Sequence, residues 1–319
     1  MDDYLKYFSK YGSFVSVETA SWEGSRALKA EDLGIEQLPE NFILGEMKLM
    51  PLLETNKIRL IMRQARDCPC TYGFRSPLSA AFFIPNQNLQ VFIEALNDLI
   101  RKFYRQRQEF CNNFIKNKML MRQPFLEAAF KAYEQSKKNI DKSIFVNKFL
   151  DRVESRYPSK AELESRFKIS YSIYSILPPV LEDKVLQEKC EKDINLKLEG
   201  FVKDIIYDAR SILRVPFQNL ENRIDEDTKT TKSAFTSVRR AIKSFDLLNT
   251  FIGDTHVKRA IDGILKEVLL KESIQTILQD QEIKENLRIR LTDVLKMVCS
   301  EESHEIAIQE FKIRVLNKG

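Results

Sequence analysis

The sequence predicts a mainly α protein, an elongated antiparallel helical bundle or coiled coil with a small β element. Among its 319 residues only 9 are Gly and 10 are Pro. Turns are therefore few, and the periodic segments between them must be long. Hydrophobic residues at 43% and charged residues at 30% suit one-sided helices around a sizeable core. The third observation is an apolar segment, 79–84, stopped by Pro85 and followed by a basic helix in which Leu89, Leu96, Phe103 and Phe110 are spaced seven apart. Ile93, Ile100 and Phe114 flank that row. Such a row is a packing surface, a core seam or a protein-interaction face.

The elements follow in order. Phe14, Val15 and Val17 among Ser and Glu, ahead of Trp22, read as a strand with one buried face. Asp32, Gly34, Pro39 and Gly45 punctuate the next stretch, and Leu53, Ile58, Leu60, Ile61 and Ala65 then fall at helical spacing. Residues 1–84 are expected to form a small mixed α+β lobe. Residues 85–165 read as a long helical arm, interrupted at Gln123 and Pro124 and closed by Pro158, with Phe130, Tyr133, Ile140, Ile144, Phe149 and Val153 as its second stripe. Residues 166–319 read as a strand followed by a helical bundle. Phe167, Ile169, Tyr171 and Ile173 alternate, and Pro178 and Pro179 close the strand. The next stripe runs from Val180 and Val185 through Ile194, Leu198, Phe201, Ile205, Ala209 and Ile212 to a break at Val215 and Pro216. Further stripes are Ile242, Phe245, Leu248 and Ile252, then Val257, Ile261, Ile264 and Val268, then Ile283, Leu287, Leu291, Val294 and Val298, with Asp254 or Thr255 capping the middle one.

Composition excludes several function classes. The longest apolar run, Ala80 to Ile84, falls far short of the roughly 20 residues that span a bilayer, so no membrane span is expected. The opening Asp2 and Asp3 fit neither a secretory signal nor a transit peptide. Five cysteines spread through a helical chain indicate a reducing compartment, the cytoplasm. Cys68 and Cys70 flank Pro69 without a second cysteine pair or a nearby histidine, which is poor material for a metal site. The two histidines, His256 and His304, sit outside any motif, and the acidic runs 225–227 and 301–302 lack an apolar setting that would raise a pKa. No Gly-rich loop precedes a Lys-Ser or Lys-Thr pair. The expectation is a non-enzymatic protein with no catalytic residue, no cofactor and no metal.

Charge is uneven. Residues 101–160 carry 15 Lys and Arg against 6 Asp and Glu, and the rest of the chain 36 against 40. Arg101, Lys102, Arg105, Arg107, Lys116, Lys118 and Arg122 make a basic surface able to meet phosphates, which keeps nucleic-acid binding open. The seam residues Leu89, Leu96, Phe103, Phe110 and Phe114 favour packing over base stacking because of their heptad spacing.

The stretches "VSVETASWEGSRALKAEDLG", "YGFRSPLSAAFFIPNQNLQVFIEALNDLIRKFYRQRQEF" and "FKISYSIYSILPP", in this order, resemble a bacterial and phage family defined only as a domain of unknown function. Its members are typically encoded beside a MoxR-type AAA+ ATPase and a von Willebrand factor A protein. The resemblance implies an adaptor or scaffold with those two partners in a remodelling system, and it transfers no functional residue. A homo-oligomer built on the helical arm is compatible with it. The alternatives are a nucleic-acid accessory protein using residues 101–122 and a helical pore-forming or membrane-remodelling protein using 78–84 as its apolar tongue.

Overall fold

The computed structural model describes residues 4–27, 46–135, 141–177, 180, 182–224, 228–264, 277 and 279–318. The readings at Asp32, Gly34, Pro39, Gly45, Ile140, Pro178, Pro179, 225–227 and Val268 lie outside them. The fold is mainly helical with a small antiparallel sheet. By internal contacts the chain divides into two compact units that interleave along the sequence. Residues 1–16, 68–93 and 172–319 form one, and 17–67 and 94–171 form the other.

The first unit starts with helix α1 (Tyr4–Tyr11), which leads into strand β1 (Gly12–Ala20). Phe14 and Val15 point to opposite faces, and both are buried, so this strand is covered on both sides where alternation predicts one. Strands β2 (Ser25–Ala27) and β3 (Glu46–Lys48) pair with each other in a separate ribbon of the second unit, and the first unit resumes with α3 (Pro69–Tyr72), β4 (Phe74–Arg75) and β5 (Phe82–Pro85). β5 pairs antiparallel with β4 and with β1, Phe14 opposite Phe83. The segment 79–84 is thus an inner strand with Ala81, Phe83 and Ile84 buried. The fourth strand of the sheet, β6, covers Lys168–Tyr174, as its alternating aromatic and β-branched residues predict.

Helix α8 (Lys184–Arg223) is the axis of the C-terminal helices. Those are α9 (Thr228–Ile252), α10 (Thr255–Ile264), α11 (Gln281–Cys299) and α12 (Glu301–Lys318). All but α10 pack on α8 directly, and α10 packs chiefly against α11. Two corrections concern α8. Its start is Asp183, whose side chain accepts from the amides of Val185 and Leu186, and Val180 and Val185 are 95% and 77% exposed, outside the stripe. Nor does Pro216 end the helix. An interior proline removes one backbone bond and costs about 3 kcal/mol, but the burial of Leu213, Phe217 and Leu220 around it offsets that. The stripes of α9, α10 and α11 are buried as their spacing predicts, from Phe245 and Leu248 to Val257, Ile261, Leu287, Leu291 and Val294.

At the end of α9, Gly253 takes φ +67°, a left-handed cap that glycine adopts without steric cost. Arg314 Nη1 donates to the carbonyls of Phe251 and Ile252, 3.0 and 2.6 Å away, satisfying oxygens the helix end leaves open. Next in the chain stands Asp254, buried, with Oδ1 accepting from the Val257 amide (3.1 Å) and so capping α10. Its other oxygen accepts from Arg210 Nε at 2.7 Å. Both side chains are 1% exposed. Arg210 reaches further, to the Met297 carbonyl, the Ser303 hydroxyl and the Ser303 carbonyl, so one guanidinium ties α8, α11 and α12 to the start of α10.

The second unit is built on α2 (Leu52–Asp67), the latter part of α4 (Asn86–Asn112), α5 (Phe114–Gln135), α6 (Lys142–Ser155) and α7 (Lys160–Arg166). The break predicted at Gln123 and Pro124 does not occur, because Pro124 lies inside α5. At Asn113, between α4 and α5, the amide still bonds the Glu109 carbonyl (3.0 Å) and the carbonyl still accepts from Asn117 (2.8 Å), so the chain stays helical there. The reversal comes after α5. Phe114 meets Tyr157, Lys118 meets Glu154 and Tyr133 meets Phe145, the pairing of an antiparallel α5–α6 hairpin. Asp141 caps α6, and Ser159 with Glu162 forms a capping box on α7.

Candidate functional site

The seam residues divide between the units and lie inward. Leu89 is half-buried, Leu96 and Phe103 are fully buried, and Phe110 and Phe114 are 1% and 8% exposed. Within the second unit Phe110 packs edge-on against Trp22 and Phe167, and Phe114 against Trp22 and Tyr157. These rings therefore serve the unit's own core. Of the aromatics set among the basic residues, Tyr104 alone is exposed, and Arg107 covers its ring at 4.7 Å.

The basic residues are dispersed. Arg101 pairs with Asp98, and Lys102, Arg105 and Lys116 are exposed. Arg107 is half-buried, its guanidinium 3.4 Å from the Glu164 carbonyl. Lys118 pairs with Glu154 and lies 4.8 Å above the Tyr157 ring. Lys118 and Arg122 thereby stand at a different place, a groove between α5 and α6.

That groove has a volume of about 520 Å³. Its apolar lining comes from Phe114, Ile115, Met119, Phe125, Leu150 and Val153. Ile115 and Met119 are 69% and 68% exposed, while Phe114 and Val153 form a buried floor. Charges stand on both walls, Lys118 and Arg122 on α5 and Asp151 and Glu154 on α6. Tyr157 closes one end and donates its hydroxyl to the Leu49 carbonyl at 2.8 Å, which holds it in place; burial raises its pKa. Sequence reasoning passed over Ile115 and Met119. The available signal was their position beside Phe114 and off the Phe103–Phe110 row, apolar residues on a face the heptad leaves outside.

Reactive groups are placed as structural ones. Cys68 is buried at the start of α3 and its thiol is pushed up to about 11, chiefly by burial, so it is a poor nucleophile; Cys70 is exposed. Among the described residues no three His, Cys, Asp or Glu side chains gather as metal ligands, and no helix is long and apolar enough to cross a membrane. His256 stands 3.2 Å from Glu310 at the surface. His304 is buried, stacked on Tyr207 with centroids 4.0 Å apart, its Nδ1 2.8 Å from the Ser300 carbonyl. Burial, aided by Arg210, lowers its pKa below 6.5. The unfolded chain therefore binds a proton first on acidification, and the native state loses stability as pH falls from above 6.5 toward the lowered value. Thermal unfolding between pH 7.5 and 5.5 should show a smaller fall in Tm for His304→Gln than for the parent; equal slopes would remove this assignment.

Fold and groove together define a mainly α-helical protein with a small antiparallel sheet and an apolar, charge-rimmed groove on a helical hairpin. The family model DUF3150, a protein of unknown function, matches residues 13–281, and the chain belongs to that family. No curated protein and no solved structure matches it.

Proposed function

We propose that this chain is a non-enzymatic adaptor whose α5–α6 groove seats an amphipathic helix of a partner protein. The observation that carries the reading is the exposed Ile115 and Met119 pair above the buried Phe114 and Val153 floor. Apolar anchors one turn apart on a partner helix would fill such a groove, with its polar flanks meeting Lys118 and Arg122 on one side and Asp151 and Glu154 on the other. The resemblance described above supplies the partners to try first, a MoxR-type AAA+ ATPase and a von Willebrand factor A protein, with the ATPase providing any nucleotide hydrolysis. The cytoplasm is the setting this reading requires.

Size-exclusion chromatography with light scattering tests it, on the chain alone and mixed with the products of its neighbouring genes. A defined complex that weakens at least about tenfold on Ile115→Glu with Met119→Glu is expected, as for loss of central apolar anchors. A chain that binds neither product, or a complex indifferent to both substitutions, overturns it. Self-association lost with the same substitutions would assign the groove to a second copy instead. The exposed Arg101, Lys102 and Arg105 support nucleic-acid binding as a second reading.

A further inference from the structure

A second concavity of the 17–67 and 94–171 unit has a different chemistry. It is about 870 Å³ and is lined by Thr19 and Ala20 at the end of β1, by Ser21 and Glu23 just beyond it, and by Asn56, Arg59, Leu60, Met62, Arg63 and Arg66 of α2. Arg59, Arg63 and Arg66 recur at i, i+4 and i+7. At 100° per residue they fall within a sector of about 60°, and at 1.5 Å rise they span about 10 Å along the helix. One of them is already oriented, since Arg59 Nη2 donates to the Glu23 carbonyl at 3.2 Å. Glu23 is the single carboxylate in the lining, 3.7 Å from Arg59, against three guanidinium groups, so the cleft is net cationic. The opposite wall offers the hydroxyls of Thr19 and Ser21, and Asn56 adds an amide. Met62 is buried beneath, and Leu60, 48% exposed, is an apolar shelf among the cations.

We infer that this cleft binds a ligand carrying two or more phosphate groups. A planar guanidinium matches two phosphate oxygens at once, and three of them along one helix face, with hydroxyl donors opposite, suit phosphates in series better than a lone carboxylate. The Leu60 shelf gives an attached apolar or base moiety somewhere to rest. The volume falls within the range of small-molecule sites. Phosphates in series occur both in a nucleoside triphosphate and along a nucleic-acid strand. The inference is independent of the α5–α6 groove and of the Arg101–Arg122 surface.

The test uses the full chain with three probes at about 50 mM salt: inorganic tripolyphosphate, a nucleoside triphosphate, and a fluorescein-labelled single-stranded oligonucleotide. Calorimetry reads the first two and anisotropy the third. At least one probe is expected to bind, with affinity falling about tenfold or more in Arg63→Glu with Arg66→Glu and far less in the equally charged control Lys131→Glu with Lys148→Glu, two exposed lysines outside the cleft and outside the Arg101–Arg122 surface. If the oligonucleotide is the ligand, its log–log salt slope should flatten by roughly 1.4, the value for two lost phosphate contacts on a single strand. Tripolyphosphate and triphosphate binding without the oligonucleotide assigns a small ligand, and oligonucleotide binding alone assigns a strand. Arg63→Lys with Arg66→Lys, which keeps charge and loses the fork, should retain partial binding and covers the case in which the glutamates impair folding. No binding by any probe, or equal losses in the cleft and control variants, overturns the inference.

Discussion

Replacing Arg210 by Met should destabilise the unit holding α8–α12 by about 3–5 kcal/mol, the range for removing one partner of a buried ion pair. The attraction between Arg210 and Asp254 is not the main reason, since desolvating both charges cancels much of it. What matters is the remainder. Asp254 would be left buried with its Oδ2 unmatched, and the Met297 and Ser303 carbonyls and the Ser303 hydroxyl would each lose a donor. Asn249 would still hold Asp254 in position, its Oδ1 accepting from the Asp254 amide at 2.7 Å, so the cost falls on the charge and not on the turn. Urea unfolding followed by circular dichroism measures it as a lower midpoint at unchanged slope. Replacing both residues, Arg210→Met with Asp254→Asn, should recover part of the loss, because the amide keeps the α10 cap while removing the buried charge. A single variant as stable as the parent would show that the network carries no net stability.

Phe83→Ala should cost about 3–5 kcal/mol, the range for truncating a fully buried ring. Phe83 lies where the sheet meets the helices of the same unit, with ring centroids 5.0 Å from Phe8, 5.5 Å from Phe14, 6.1 Å from Phe201 and 5.2 Å from Phe251. Four rings from four elements cannot collapse into the space together, so the cavity term persists. Space on the strand side is equally tight. A Cβ at Gly12 would come within 2.1 Å of the Phe83 ring, so Gly12 is the residue that lets β1 pass this close. Phe83→Leu should lose less than half as much, and a cost below about 1 kcal/mol for the alanine variant in the same urea titration would mean that the core repacks.

The sequence made the type of the longer periodic elements legible and passed over the short ones, α1 and β2 to β4. Period-3.6 and period-2 patterns located α2, α9, α11, β1 and β6, although burial follows the read stripes only in part: Leu53 and Leu60 of α2 and Ile173 of β6 are exposed, and β1 is buried on both faces. Pro124 and Pro216 were misread as breaks, since local rules assign proline a fixed cost; around Pro216 they cannot see the burial of Leu213, Phe217 and Leu220 that offsets it, and nothing in the burial around Pro124 gives the same account. Val180 and Val185 were misread as core for the converse reason: apolar residues extend the stripe of α8 past the point where anything packs on it. The groove was half legible. Lys118 and Arg122 were identified as basic surface, but their placement beside Ile115 and Met119 depends on α6 folding back along α5. The arginines of α2 needed only their i, i+4, i+7 spacing, yet a cleft requires the end of β1 opposite them.

By itself the sequence determined that this protein is mainly helical, that Leu96, Phe103 and Phe110 share one face, and that the segments around Phe14 and Ile169 form strands, because spacing along one chain controls which side chains share a face. Only the tertiary structure decided that the chain forms two interleaved units, that Arg210 on the apolar side of α8 is satisfied by Asp254 from 44 residues away, and that two concavities of opposite character lie on the second unit. Those outcomes depend on contacts between segments remote in sequence, whose energies are set by burial and geometry that local periodicity does not encode.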